Sequence, residues 1–310
     1  MTLPLISVVI PLFNKQSTIK RALESVLHQT FTQFEIIVVD DGSTDESAVV
    51  VKSLGDPRIK LICQPNKGVS AARNTGVANA TADYVAFLDA DDSYQPEFVQ
   101  HISRLIEKAP DAGLYCCRLA FINEHHQYFA PKSTLSDDFN GEIKRFIRAF
   151  RLDRGLVHPS SMAVNKSAFN QLGGFTQGRH VGEDVQLILQ LALNFPVMHS
   201  GYCGATVFRD AENRTSDRKP GQLSQHLEYF LTTTMWQKNA STLQVNDVIE
   251  FCCHNALLHA AGAVLNGQRY LAWQYYCLVK AVNRLYAMKI AVVACCPVKL
   301  LQLIKRVRNA

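Results

Sequence analysis

Three carboxylates fall within four residues at Asp89-Ala90-Asp91-Asp92, directly after the apolar run Tyr84–Leu88. Like charges this close repel one another unless a cation or solvent relieves them. Oxygen ligands of this kind suit Mg2+ or Mn2+, ions that take few protein carboxylates and complete their shells with phosphate oxygens and water. A solvated acidic turn would give the same letters. A second polar segment, Asp40-Asp41-Gly42-Ser43-Thr44-Asp45, follows another apolar run, and by itself it reads equally well as a turn with a helix N-cap. A third cluster is Gly173-Gly174-Phe175 followed by Val181-Gly182-Glu183-Asp184, at the start of a helical stretch. Its acidic pair either complements the helix dipole or supplies a general base held against a hydroxyl group.

The elements around these segments say how they are held. Ile6–Ile10 is an apolar run rich in β-branched residues, as expected for a strand buried on both faces; Phe34–Val39 reads as a second buried strand, and Ile59–Ile62 and Tyr84–Leu88 as a third and a fourth strand. Between them, Ile19, Ala22, Leu23, Val26 and Leu27 recur at helical spacing, and Ser47–Leu54 and Val69–Ala80 read as further helices. Alternating strands and helices predict βαβ units and a mostly parallel sheet flanked by helices. In such sheets ligands collect beyond the C-terminal ends of the strands. Three of the four strands end there in polar loops: Pro11-Leu12-Phe13-Asn14-Lys15, the 40–45 segment and the 89–92 segment. Beyond about residue 110 the pattern loosens. It suggests helices at Glu142–Phe150 and Glu183–Asn194 and strands near Ser161–Val164 and Ala205–Phe208. From about Pro220 the apolar spacing is helical to the end. Residues 1–220 are therefore expected to form the catalytic domain and 221–310 a helical C-terminal region, divided at the polar stretch Asp210–Gly221.

The chain has 310 residues and a formal net charge of +5. Residues 251–310 hold Arg269, Lys280, Arg284, Lys289, Lys299, Lys305, Arg306 and Arg308 but no Asp or Glu, so the first 250 residues are net acidic. Such asymmetry points to an anionic partner for the C-terminal end. Nucleic acid is the weaker choice, because Trp273, Tyr275, Tyr276 and Tyr286 are spaced for helix packing instead of base stacking. Nine cysteines show no CxxC spacing, and the ten histidines show no paired-ligand spacing. Reduced thiols in a cytoplasmic protein are the expected state. Met1–Ile10 lacks the basic start of a signal peptide, and Ile290–Val298 is too short to span a bilayer.

Taken in order, five segments resemble the family 2 glycosyltransferases, which have the GT-A fold. They are Ser7-Val8-Val9-Ile10-Pro11-Leu12-Phe13-Asn14; Val38-Val39-Asp40-Asp41-Gly42-Ser43-Thr44-Asp45; Asn66-Lys67-Gly68-Val69-Ser70-Ala71-Ala72-Arg73-Asn74-Thr75-Gly76; Phe87-Leu88-Asp89-Ala90-Asp91-Asp92; and Gly173-Gly174-Phe175 with Glu183-Asp184. Each piece is short, and their common order carries the assignment over roughly residues 5–215. The resemblance implies a nucleotide-diphosphate sugar donor, typically a UDP-sugar. Pro11 and Asn14 would line the nucleotide site, Asp41 would hydrogen-bond the base, and Arg73 would lie near the nucleotide. Asp89 would bind ribose or share the metal, Asp91 would be the principal ligand of Mn2+ or Mg2+, and Asp184 would be the catalytic base of an inverting displacement. The acceptor would be a glycan or a lipid-linked sugar in cell-surface polysaccharide or glycolipid synthesis. Processive relatives carry QxxRW and several membrane spans, which are missing here, so single-sugar transfer is expected. Many relatives place Arg six residues after the base, where this chain has Gln190. A sugar-phosphate nucleotidyltransferase would show a Gly-rich loop after the first strand, and a non-catalytic binding or scaffold protein would have lost the metal carboxylate or the base. Arg209–Arg214 reads as a basic lid over the donor phosphates or as an ordinary solvated loop.

Residues 289–310 suggest an attachment to the inner face of a membrane. Leu300, Leu301, Ile304 and Val307 share one helical face, with Lys299, Lys305 and Arg306 opposite and Arg308 at the margin. The alternative is a helix packed on the protein with its charges in solvent.

Overall fold

The computed structural model describes residues 5–123, 125–153, 155–178, 181–209, 222–238 and 240–302. The chain divides into two compact units, Met1–Arg214 and Thr215–Ala310. The division falls inside the polar stretch 210–221, which lies outside the described residues, as do 210–214 of the expected lid.

The first unit opens with β1 (Ile6–Leu12), α1 (Ile19–Leu27), β2 (Phe34–Asp40), α2 (Ser47–Ser53), β3 (Ile59–Cys63), α3 (Val69–Asn79) and β4 (Tyr84–Phe87). Every residue of β1 is buried, as a central strand covered on both faces requires. The buried stripe of α1, Ile19, Ala22, Leu23 and Val26, is the one its spacing predicts. Of these, Ile19, Leu23 and Val26 each contribute about 1.5–3 kcal/mol when fully buried. Helix α3 is built from small residues because it lies very close to the sheet: a Cβ added to Gly76 would stand 2.3 Å from Val9 Cγ1.

Next come β5 (Ser93–Tyr94), α4 (Phe98–Lys108), β6 (Leu114–Ile122), β7 (Tyr128–Phe129), β8 (Asn140–Glu142), α5 (Phe146–Leu152), β9 (Met162–Asn165), α6 (Lys166–Gln171), α7 (Glu183–Asn194) and β10 (Val197–Phe208). One sheet joins all ten strands in the order β3-β2-β1-β4-β9-β6-β10-β5, with β7 beside β6 and β8 beside β10. Strands β3, β2, β1 and β4 are mutually parallel. Strand β9 is antiparallel to both β4 and β6, and β6 is parallel to β10. Two reversals restore the original sense, so β6 and β10 end at the same edge as β1, β2 and β4.

Two expected elements are redrawn. The helix expected at Glu142–Phe150 begins only at Phe146, because Asn140–Glu142 pairs with Met198–Ser200 of β10. The strand expected at Ala205–Phe208 begins at Val197. Register shifts between Ser200 and Ala205 interrupt its alternation, and there is no room for a side chain at Gly204, where a Cβ would meet Phe98 at 2.7 Å and Cys117 at 2.9 Å.

The second unit contains α8 (Gln225–Thr232), α9 (Thr242–Leu265), α10 (Arg269–Val279) and α11 (Arg284–Cys295). Helix α9 starts at a capping box in which Ser241 and Gln244 satisfy each other's backbone N–H groups. It has 24 residues and is long and apolar enough to cross a membrane by length and composition, a property the sequence reading missed by looking only at Ile290–Val298. Here its buried face, including Val248, Cys252, Ala256, Ala260 and Ala263, packs among α8, α10 and α11. Arg269 at the start of α10 donates to the Ala294 and Cys296 carbonyls at the end of α11, tying the two helices antiparallel.

Candidate active site

At the shared strand edge, the loops after β1 and β2 are laced together by their own polar side chains. Asn14 sits in the left-handed region at φ 51°, which Asn tolerates better than most residues. Its side-chain Oδ1 accepts the Thr44 N–H at 2.8 Å, and its own N–H donates to Ser43 Oγ at 3.0 Å. The Lys15 N–H donates to Ser47 Oγ at 2.8 Å. Pro11 lies in β1 just past Val9, where the ladder to β4 ends, and it has no N–H to continue that ladder.

Asp41 organises the next loop. Its carboxylate accepts from Gln64 Nε2 at 2.8 Å and from the N–H groups of Lys67 at 2.9 Å and Gly68 at 2.7 Å. Gly68 then opens α3 at φ 89°, a conformation that favours glycine. A carboxylate offers about four lone-pair positions, so three bonds leave one acceptor position for a ligand donor.

Helix α3 delivers Arg73, a buried guanidinium that donates to Asp89 Oδ1 at 2.6 Å, lies 3.8 Å from Glu183 Oε1 and stacks 5.1 Å from the centre of the Phe175 ring. Burial works against its charge, but Asp89 and Glu183 outweigh burial and hold it firmly protonated. Asn74, beside it, accepts the Phe175 N–H at 3.0 Å and donates to the Phe175 carbonyl at 2.8 Å. The Gly-Gly-Phe turn is thereby clamped to α3. Gly174 has φ 70°, and a Cβ there would stand 2.8 Å from Asn74 Oδ1.

Opposite lies the acidic cluster. Burial would raise the Asp89 carboxyl, but Arg73, His158 and Lys15 together outweigh it, and Asp89 stays below its ordinary value. Asp91 accepts Lys15 Nζ at 2.8 Å, and its backbone carbonyl accepts from Arg21. Asp92 is almost fully buried, accepting Ser160 Oγ at 2.5 Å and the Phe208 N–H at 3.2 Å. Burial, with Asp89 and Asp91 close by, pushes its carboxyl well above the usual range. The segment entering β9 brings His158 beside these groups. Its Nδ1 accepts the Ser160 N–H at 3.2 Å and lies 3.9 Å from Asp92 Oδ2. Burial lowers its basicity, while Asp89 and Asp184 oppose that effect.

The acidic pair opens α7 after Gly182, which has φ 86°. Glu183 is buried, and its carboxyl is pushed up to about 7, first by burial and then by Asp184, with Arg73 opposing. Asp184 is partly exposed, and its Oδ1 accepts the Val185 N–H at 2.7 Å. It lies close enough to influence both Arg73 and His158 electrostatically.

All seven residues singled out in the sequence, Pro11, Asn14, Asp41, Arg73, Asp89, Asp91 and Asp184, therefore lie in or beside these strand-edge loops and helix starts. Asp89, Asp92 and His158 have ligand atoms within 4.8 Å of one another, a mixed oxygen–nitrogen set of the kind that can hold a metal ion. Asp91 is outside that trio and paired with a lysine. The sequence reading missed His158 and Ser160, whose only local signal is the His-Pro-Ser-Ser run of a capping box. It also assigned no role to Asp92, or to Glu183 as a buried acid.

The chain matches the family described as Glycosyl transferase family 2 over residues 7–173. It is 30% identical over 186 residues to an uncharacterized glycosyltransferase of Rickettsia prowazekii, covering 59% of this chain and 57% of that protein. It is 41% identical over 112 residues to the glycosyltransferase GlyA of Streptococcus pneumoniae, covering 35% and 16%. The chain thus spans little more than half the length of the first of these curated relatives and far less of the second. Among solved structures, TarS 1-349 of S. aureus in complex with UDP-GlcNAc superposes with a TM-score of 0.73 at 18% identity, over 91% of this chain and 82% of that one. The first unit has the GT-A arrangement, a mixed sheet flanked by helices, and C-terminal helices follow it.

Proposed function

This chain belongs to glycosyl transferase family 2, and from that premise we propose that it moves one sugar from a UDP-sugar to an acceptor hydroxyl with inversion at the anomeric carbon. The observation that carries the reading is the pairing of two acidic groups at one strand edge. Asp89, Asp91 and Asp92 lie on one side, Glu183 and Asp184 on the other, and Arg73 bridges them at 2.6 Å to Asp89 and 3.8 Å to Glu183.

Pro11 and Asn14 shape the floor of the nucleotide site, and Asp41 offers its remaining acceptor position to the N–H of a uracil ring. Asp91, with Asp89, would hold Mn2+ or Mg2+, and His158 stands beside them as a candidate nitrogen donor group. Lys15 is a part-buried monocation on Asp91 whose place a divalent ion would take, while Asp92, fixed by Ser160 and the Phe208 N–H, holds the loop in place. The ion, when bound, neutralises charge building on the departing diphosphate. Asp184 takes the proton of the acceptor hydroxyl as its oxygen attacks the anomeric carbon. The sugar–phosphate bond breaks with its electron pair on the nucleoside diphosphate, and one displacement inverts the centre. The acceptor is a glycan or lipid-linked sugar of the cell surface, and the reaction is cytoplasmic. All nine cysteines are free thiols, in keeping with a reducing compartment.

A screen of nucleotide sugars, reading release of nucleoside diphosphate with and without Mn2+, tests this. UDP-GlcNAc is the first donor to try, since the structural neighbour TarS was solved with it. Mn2+-dependent release of UDP is expected. If no nucleotide sugar is turned over and UDP does not bind with Mn2+ present, the chain is a family member without the activity.

A further inference from the structure

Helix α11 is apolar on both sides. Ala287, Ile290 and Ala294 form its buried face. The opposite face should then be polar, as on an ordinary surface helix. Instead it carries Leu285, Met288, Val292 and Cys295, spaced i, i+3, i+7 and i+10 along one stripe. Leu285 is 57% exposed, Met288 59% and Val292 70%. Arg284 and Lys289 are also exposed and flank the stripe. The neighbouring α10 exposes Tyr270 and Trp273, the two residue types enriched at membrane–water interfaces. Scattered exposed hydrophobic residues need no explanation, but a continuous helical stripe does.

Charge identifies what covers it. No acidic residue occurs from 251 to 302, against five basic ones, Arg269, Lys280, Arg284, Lys289 and Lys299. A protein groove would offer apolar cover without requiring that bias. An anionic leaflet supplies both halves, acyl chains for the stripe and headgroups for the cations. We infer that the outward face of α11 is a docking surface for an anionic membrane, with the helix lying in the plane of the interface. The attachment expected from residues 289–310 is thereby moved toward the N-terminus, onto a described helix. Ile304, Lys305, Arg306, Val307 and Arg308 lie outside the described residues, and the inference does not use them. It is independent of the proposed transfer reaction, although a lipid-linked acceptor would be met at such a surface.

Co-sedimentation of the full chain with vesicles tests it. The chain should pellet with mixed phosphatidylglycerol–phosphatidylcholine vesicles at low salt, release at high salt, and ignore phosphatidylcholine alone. The double variant Met288→Glu, Val292→Glu alters only exposed positions and should lower binding about tenfold or more while leaving the unfolding midpoint unchanged. Arg284→Glu with Lys289→Glu should do the same if the first pair misfolds. Removal of residues 303–310 should leave a salt-sensitive, α11-dependent fraction. The inference fails if the full chain stays in solution with anionic vesicles at low salt. It fails equally if the α11 variants bind normally, or if removing 303–310 alone abolishes binding. Should the chain be a dimer that Met288→Glu, Val292→Glu converts to a monomer without any effect on vesicles, the stripe belongs to a second copy. Release of UDP with a soluble acceptor, measured on the same samples, reports separately on catalysis.

Discussion

Arg73 meets acids from two distant parts of the chain, Asp89 and Glu183, and the site's electrostatics follow from that meeting. Asp91 is paired with a single monovalent cation, Lys15, at 2.8 Å, a place that a divalent ion of higher charge would compete for. Asp91→Ala is therefore expected to abolish transfer and Mn2+-dependent UDP binding without unfolding the protein, as read by calorimetry and circular dichroism. Full activity of that variant in a chelator would remove the metal from the reaction. As the proposed base, Asp184 would act on the acceptor and not on the nucleotide, so Asp184→Asn should cost at least ~10²-fold in kcat while donor affinity stays near normal. A normal kcat with weakened donor binding would make Asp184 a binding residue. Glu183 gives a pH signature. Its carboxyl is pushed up to about 7 by burial and Asp184, so the folded state holds a proton that the unfolded state has already released near 4.5. Stability attributable to Glu183 then falls as pH rises from about 4.5 to 7, with a slope of at most about 1.4 kcal/mol per pH unit. Urea unfolding of the metal-free protein should show wild type losing stability relative to Glu183→Gln across that window. A constant difference between the two would mean that Glu183 is ionised throughout.

Elements hold these side chains through two kinds of contact, one legible in the sequence and one not. Strands β1 to β4 and helices α1 to α3 were readable because their signals are complete within their own segments: short apolar runs in the strands, fully buried in β1, and Ile19, Ala22, Leu23 and Val26 on α1. The loop positions followed, since Asp41 comes directly after β2 and Asp91 four residues after β4. What could not be read depends on pairing between distant segments. Strand β9 reverses direction and brings Ser160 onto Asp92, 68 residues away, so His158 looked like any loop histidine. Strand β10 hides behind its bulge, and β8 ends a helix early by pairing with it. Helix α3 shows how tightly an element must fit. A Cβ at Gly76 would lie 2.3 Å from Val9 Cγ1 and 2.9 Å from Cγ2, and both methyl groups are locked inside the core. Gly76→Ala should thus push α3 from β1 and cost about 1–3 kcal/mol, with loss of transfer because Arg73 moves with the helix. Adding Val9→Ala should restore part of both. Unchanged stability in Gly76→Ala would show that α3 has room to spare.

At the scale of the whole chain, each unit has a core of its own. The cluster running from Ile6 through Val207 lies entirely within Met1–Arg214. In Thr215–Ala310 the buried side chains of α8 to α11, among them Leu227, Phe251, Leu271 and Ile290, form a second set. Cooperative unfolding follows cores, and two cores permit two transitions. Every residue proposed to touch donor or metal belongs to the first unit, so ligand should stabilise that transition alone. A ligand that binds only the folded state adds RT ln(1 + [L]/Kd), about 2.7 kcal/mol at a hundredfold excess over Kd. Differential scanning calorimetry should therefore resolve two transitions, with UDP and Mn2+ together raising one midpoint and leaving the other unmoved. Asp91→Ala should cancel the shift, because the diphosphate then lacks its counter-ion. Anionic vesicles supply the converse probe: binding on α11 should move the transition that UDP leaves alone. A single transition that UDP and vesicles both raise would mean the two cores unfold as one, and donor binding would then be thermodynamically linked to events on the helical unit.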